Sequence, residues 1–228
     1  MKKILSILFI FTLLGQSQAW GKREKEIEVL FETSAGDFRV ALYNETPQHR
    51  DNFIKLVDEG FYDSLLIHRA ILGFMIQMGD PESRHAKPGQ LLGGGKPAYT
   101  IPAEIRFPSL FHRRGALSMA REPDDINPER ASSGSQFFIV TGRPYMPQDL
   151  KPIEARVHAV TEGAYRYTDK VRQVYQDYGG APHLDGQYTV FGHVVEGMKI
   201  INQIQMVSTD ENDRPEEDIR ILRATVIK

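Results

Sequence analysis

One cation stands apart in this chain. Arg69 lies in the run Ile67 to Asp80 (IHRAILGFMIQMGD), a few residues ahead of Phe74, Met75 and Gln77. A second run, Ser132 to Gly142 (SSGSQFFIVTG), carries Gln136, Phe137 and Phe138 behind a Gly-Ser turn. Both read as short strands, Phe, Ile, Val and Met bounded by Gly and Ser. Alternate side chains of a strand share a face, so Arg69 can stand with residues of a neighbouring strand over one surface. That surface would hold apolar side chains, two amides and one permanent cation. It can grip and polarise a ligand, but it offers no nucleophile and no metal cage. Other chemistries find less support. The chain has no Cys, and its seven His are scattered without metal-ligand spacing. Ser132, Ser133 and Ser135 sit in no Gly-x-Ser-x-Gly elbow. Gly93-Gly94-Gly95-Lys96 fails as a phosphate loop, because Gln90 and Pro97 replace the required Gly and Ser/Thr. It reads as a flexible surface loop. Asp124 and Asp125 lack the alternating acids of a calcium loop and read as solvated charges.

The elements that must position these residues are mostly strands. Ile27 to Thr33 and Phe38 to Tyr43 alternate apolar and polar around the turn Ser34-Ala35-Gly36-Asp37, which predicts a hairpin. A helix follows, with Thr46 as its cap, Pro47 in its first turn and Gly60 past its end. Its buried face is Phe53, Leu56, Val57 and Phe61. Strands are predicted at Leu66–Ala70, Met75–Gln77, Ala116–Met119, Gln136–Val140, Gln187–Val194 and Ile219–Ile227, with a helix at Glu196–Gln205. From Arg143 to Pro182 the pattern changes. Pro144, Pro147 and Pro152 argue against helix early on. Later, Val171, Val174, Tyr175 and Tyr178 fall at helical spacing between Thr168 and Gly179-Gly180, so one amphipathic helix is expected there. Short strands with a dispersed core favour a closed β-barrel.

IHRAILGFMIQMGD and GSQFF resemble the core motifs of the cyclophilins, peptidyl-prolyl cis–trans isomerases. YTIPAEI (Tyr99 to Ile105), GALSMAR (Gly115 to Arg121) and LDGQYTVFGHVVEGM (Leu184 to Met198) match in the same order, so the resemblance covers about residues 26–228. It implies a mainly β domain, an eight-stranded antiparallel closed barrel with a helix over each end. Arg143 to Pro182 would be an extra helical insertion before the LDG motif. It also implies catalysis of rotation about Xaa-Pro bonds without a cofactor, on Pro-containing polypeptides. In that reading Arg69 is the catalytic donor. Phe74, Met75, Phe138 and Leu184 line the proline pocket, Gln77 bonds the substrate and helps hold the arginine, and Gln136 is a second substrate-facing amide. Arg121 falls where the family usually has Asn, a residue that holds the peptide by its main chain. Two substrate-facing positions depart from many eukaryotic members: His183 stands for a Trp that contacts cyclosporin, and Tyr188 for a His. The alternative function is a non-catalytic Pro-peptide-binding module or holdase chaperone.

The N-terminus reads as a targeting segment. Lys2 and Lys3, the apolar run Ile4 to Leu14 and Ser17-Gln18-Ala19 predict a secretory signal peptide over residues 1–19, cut after Ala19. The apolar run is shorter than the roughly 20 residues that span a bilayer, so stable membrane insertion after cleavage is not expected. Trp20 to Lys25 reads as a flexible lead-in. The expected location is periplasmic or secreted. Cleavage removes two lysines and no acid, taking the net charge from −2 to −4. That mild acidity argues against nucleic acid as a partner. With no disulfides available, stability must come from a core, and about 200 residues can bury one.

Overall fold

The computed structural model describes residues 25–95 and 99–227; the predicted signal peptide and most of the lead-in lie outside them. The chain begins as the expected hairpin of β1 (Ile27–Thr33) and β2 (Phe38–Leu42), in which Phe31 faces Phe38 and the two rings stack at 5.0 Å. β3 (Ile67–Ile71) and β4 (Met75–Met78) form the second hairpin. β5 (Thr100–Ile101) pairs with β7 (Ser132–Ser133) as a small separate ribbon. β6 (Ala116–Met119), β8 (Phe137–Val140), β9 (Val190–Glu196) and β10 (Ile221–Ile227) complete the main sheet. Its order is β10-β1-β2-β9-β6-β8-β4-β3, and every pairing is antiparallel. The sheet is mainly β and eight-stranded as the motifs imply, but it curls into a half-barrel rather than a fully laddered closed one. The edge strands approach each other around the Leu66–Arg220 bridge, where the Ile67 amide donates to Ile219 O, the Ile221 amide to Leu65 O and the Ser64 amide to Ile221 O, each at 2.8 Å.

Period-two alternation divides the side chains of this sheet between two cores. Inward go Phe31, Phe38, Ala70, Ile76, Met78, Phe137, Ile139 and Phe191. Outward, on the same strands, go Met75, Phe138, Val140, Ala116 and Val190, which form a second apolar cluster. The inner core is closed by two helices. α1 (Pro47–Asp58) contributes Phe53, Leu56 and Val57, and α4 (Met198–Ile204) contributes Ile201 and Ile204. The N-terminus of α1 is not capped by Thr46, whose hydroxyl donates back to Tyr43 O. Glu104 does the work instead. Its carboxylate accepts from the amides of Gln48 (3.3 Å) and His49 (3.0 Å), putting negative charge at the positive end of the helix.

The Arg143–Pro182 stretch holds two helices, not one: α2 (Pro147–Val160) and α3 (Asp169–Asp177). Pro147 does not block α2, because it occupies the first turn, where its missing N–H has no partner to lose. Pro152 lies inside the helix and forfeits one hydrogen bond there. Burial of Leu150 and Val157 offsets that loss. α3 begins with Thr168 as expected, its hydroxyl accepting from the Val171 amide. α2, α3 and the segment between them bury Leu150, Val157, Tyr167, Val171 and Tyr175 against Phe107 in a third cluster. The two ends of the stretch meet. Gly142 passes so close to Gly180, and Gly179 to Arg143, that a Cβ on Gly142 or Gly179 would collide with backbone, while one on Gly180 would strike His112 O. Among the described residues no helix is long and apolar enough to cross a membrane.

Candidate active site

Register assembles the site. Arg69 on β3 lies opposite Gln77 on β4, and Gln77 lies opposite Phe138 on β8. Directly opposed residues of antiparallel strands put their side chains on the same face, so cation, amide and ring form one row across three strands. Met75, two residues from Gln77, shares that outward face. Phe74 projects from the β3–β4 turn. Leu184 comes from a short 3-10 turn, Pro182–Leu184, and Tyr188 from the chain just beyond it. Arg69, Phe74, Met75, Gln77, Arg121, Phe138, Leu184 and Tyr188, with Ala120, line one hollow of about 210 Å³. Its floor is apolar, formed by the buried Met75 and Phe138. Its rim is not, for the Arg69 side chain is 42% exposed.

Eight of the ten sequence-predicted residues therefore converge on one depression; Gln136 lines the hollow beside it, and His183 stands behind Phe74. His183 packs its ring against Phe74 at 5.1 Å and supports that wall. Burial, and after it the neighbouring His112, holds the His183 pKa below the usual imidazole range. Gln136 is largely buried, yet it lines an adjoining hollow of about 420 Å³ that shares Gln77, Ala120 and Arg121 with the first. Its Oε1 accepts from Gln77 at 3.1 Å, while its NH₂ donates to Gly93 O and Gly95 O. Gln77 is thus braced by Gln136 and not bonded to Arg69. The glycine-rich loop is also less free than its composition suggests. The fully buried Asp80 carboxylate accepts from the Gly93 amide at 2.6 Å, and a Cβ on Gly95 would strike that carboxylate.

Arg121 holds its own side chain down. Its guanidinium lies 4.4 Å from the centroid of the Tyr188 ring and donates to Gln187 O at 2.8 Å. It also pairs with Asp124 at 2.6 Å, so Asp124 is an anchor and not merely a solvated charge. Arg130 pairs with the same carboxylate.

Three bracing groups are not among the sequence-predicted residues. Asp213 accepts from Arg69 Nε at 3.2 Å and Nη2 at 3.1 Å, from 144 residues further along the chain. Asp185, fully buried directly after Leu184, accepts from the Tyr175 hydroxyl at 2.6 Å, the Tyr167 hydroxyl at 2.7 Å and the His112 amide at 2.9 Å. Burial first, and the Asp185 charge after it, push both tyrosine hydroxyls above their ordinary range, so they stay protonated as donors. His112 in turn lies with its ring against Phe138 and with Nε2 3.1 Å from Ser118 Oγ.

Among the described residues there are two Ser–His–acid chains, Ser118–His112–Asp185 and Ser132–His49–Glu104. Both serines are buried, at 0% and 1% exposure, so no acyl substrate reaches them and both chains are structural. Among the described residues no group of His, Asp and Glu is arranged to hold a metal ion. What the Arg69 hollow offers a ligand is a cation at the lip and apolar side chains beneath it. That arrangement suits a ring buried in the hollow and an acceptor presented to the guanidinium.

Comparison with known proteins agrees with this geometry. Residues 28–226 match the family described as cyclophilin type peptidyl-prolyl cis-trans isomerase/CLD. A peptidyl-prolyl cis-trans isomerase-like 1 protein of Aspergillus fumigatus is 34% identical over 203 residues, covering 88% of this chain and 96% of the relative. The crystal structure of a Cryptosporidium parvum cyclophilin-type peptidyl-prolyl cis-trans isomerase superposes with a TM-score of 0.62 at 25% identity, covering 89% of this chain and 98% of that one. A second structure of that protein, in the presence of the dipeptide Ala-Pro, gives 0.59 at 26% identity, with 88% and 99% covered. This chain belongs to the cyclophilin-type peptidyl-prolyl cis–trans isomerases.

Proposed function

We propose that this isomerase works outside the cytoplasm on the Xaa-Pro bonds of exported polypeptides, with Arg69 as its catalytic donor. The location rests on the N-terminal pattern of two lysines, an apolar run and Ser-Gln-Ala. The Arg143–Pro182 stretch is, in this reading, an addition to the common fold that shapes one side of the hollow. The observation that carries the catalytic assignment is the placement of Arg69 at the lip of a hollow floored by Met75 and Phe138.

The chemistry follows from the amide. Rotation about a peptide bond is resisted by roughly 18–20 kcal/mol, because the nitrogen lone pair is delocalised into the carbonyl. No covalent bond forms or breaks. The catalyst must bind the twisted amide better than either planar isomer. In the twisted state the prolyl nitrogen regains its lone pair and becomes an acceptor. Phe74, Met75, Phe138 and Leu184 hold the pyrrolidine ring as the pivot. Arg69, always charged and carrying N–H groups not used by Asp213, donates to that nitrogen. Gln77, fixed by Gln136, offers its amide oxygen or remaining N–H to the peptide backbone. That a relative was solved in the presence of Ala-Pro supports a proline-containing ligand here.

The test is Arg69→Ala in a protease-coupled assay on a short Xaa-Pro peptide. Loss of a donor that acts mainly on the twisted state should lower kcat/KM by about two orders of magnitude, roughly 3 kcal/mol. The fold should persist, since the Arg69 side chain is half exposed. Turnover near that of the unmodified protein would rule out Arg69 as the donor. Peptide binding without any acceleration by the unmodified protein would favour a holdase.

A further inference from the structure

The strand that carries Arg69 is tied to a loop with no part in the motifs. The loop is tightly built. The Asp210 carboxylate accepts from the amides of Asn212 (2.8 Å) and Arg214 (3.0 Å), and the Asp210 amide donates to Arg214 O at 2.8 Å. The Arg214 side chain is nearly buried and donates to Lys87 O, Gln90 O and Asp218. At the tip, Asp213 sits in the left-handed region, with φ 62°. Its carbonyl accepts from the Ala70 amide at 2.8 Å, locking the loop to the strand beside Arg69. A non-glycine residue held in that conformation by so many bonds is a place to look for function.

From there one oxygen, Asp213 Oδ2, accepts from both Nε and Nη2 of Arg69. The guanidinium has five N–H groups in a fixed plane. Two are taken and three remain, including both on Nη1. Binding Nε and Nη2 fixes the plane as well as the position. An unpaired arginine this exposed would sample many rotamers. The pair itself is 42% and 41% exposed, so it contributes little to stability. Its consequence is direction.

We propose that Asp213 is a positioning residue for catalysis, aiming the free edge of the Arg69 guanidinium at the prolyl nitrogen. The proposal rests on the assignment of Arg69 above. Because the nitrogen accepts only in the twisted state, misaiming Arg69 weakens the transition state more than the bound peptide. The loss falls on kcat and leaves KM nearly unchanged.

Asp213→Gly removes the carboxylate while leaving the left-handed backbone unstrained. Asp213→Asn keeps an acceptor of the same shape without the charge. Both are measured for kcat and KM separately on one Xaa-Pro peptide, together with the melting temperature and Arg69→Ala in parallel. Asp213→Gly should lose about tenfold in kcat with KM within about twofold, and Asp213→Asn should fall between it and the parent. In an Arg69→Lys background, where a point charge replaces the planar fork, Asp213→Gly should cost less than in the parent. A kcat for Asp213→Gly within about twofold of the parent, or above it, overturns the proposal when Arg69→Ala is inactive. An active Arg69→Ala would instead remove the assignment on which the proposal stands. Equal losses of Asp213→Gly in both backgrounds, tracking a fall in melting temperature, would show a merely structural residue.

Discussion

Tyr175→Phe removes one hydroxyl and leaves the rest of a fully buried ring in place, edge-on to Phe111 at 5.4 Å. What is lost is the 2.6 Å bond to Asp185 Oδ2. A hydrogen bond to a charged acceptor contributes about 1.5–3 kcal/mol. The carboxylate is not orphaned, because the Tyr167 hydroxyl still donates to the same oxygen and the His112 amide to the other. The expected loss is therefore about 2 kcal/mol, without the larger penalty of an unpaired buried charge. For a chain of this size each kcal/mol moves the melting temperature by about 2–4 °C, so the variant should melt about 4–8 °C lower. Urea unfolding should give the same free energy with an unchanged m-value. Since Asp185 follows Leu184 directly, the wall of the hollow should loosen too. kcat/KM is expected to fall by less than about tenfold, because the bonds of Arg69 are untouched. A loss below about 0.5 kcal/mol would refute the view that Tyr175 pins Asp185 and the LDG turn from α3.

Three further outcomes are expected. His68 is 3% exposed, and burial, opposed by the Asp80 charge, lowers its pKa from 6.5 to about 4. The unfolded chain thus takes up a proton first. Stability is whole above about pH 6.5, falls between 6.5 and 4 by roughly 3 kcal/mol, and then levels for this group. His68→Leu should flatten that slope in a series of melting curves, and an unchanged slope would clear His68. His183 backs Phe74 where a Trp would present a larger flat contact, so His183→Trp should tighten cyclosporin binding measured by calorimetry; equal or weaker affinity would count against the assignment. Replacing Arg143–Pro182 with a Gly-Ser loop removes both tyrosine donors of Asp185 and uncovers Phe107. It should destabilise the chain and alter the ranking of Xaa-Pro peptides; unchanged stability would mean that the third cluster contributes nothing.

Much of the sheet was legible because alternation is a local signal. β1 and β6 fall at the predicted bounds, and the hairpin β3–β4 carries Arg69 and Gln77 in one short run. α2 was not legible because a proline has opposite meanings in the first turn and the interior of a helix, and Pro147 and Pro152 supply one of each. The cap of α1 was misread for a different reason. Thr46 has the right chemistry at the right place, but Glu104 brings a full charge from 55 residues away to the His49 amide. Closure of the barrel was read as complete, but it depends on how far two edge strands separate after the Leu66–Arg220 bridge, which no local pattern records.

The same division runs through the site. The residues that would touch a ligand lie within short runs, because one strand or one turn is enough to display them. The residues that aim them do not. Asp213 reaches Arg69 across 144 positions, and Tyr167, just ahead of α3, and Tyr175, within it, reach Asp185 from outside the sheet. A guanidinium and an apolar hollow are common on protein surfaces. Holding the guanidinium in one plane at the lip of the hollow requires a fixed anion on its far side. Holding Leu184 over the floor requires a fixed turn behind it. The buried Asp185 and the locked Asp210–Arg214 loop meet these two requirements from opposite sides of the row Arg69–Gln77–Phe138. Selectivity among prolyl bonds should therefore respond to changes behind Leu184, and the rate of rotation to changes behind Arg69.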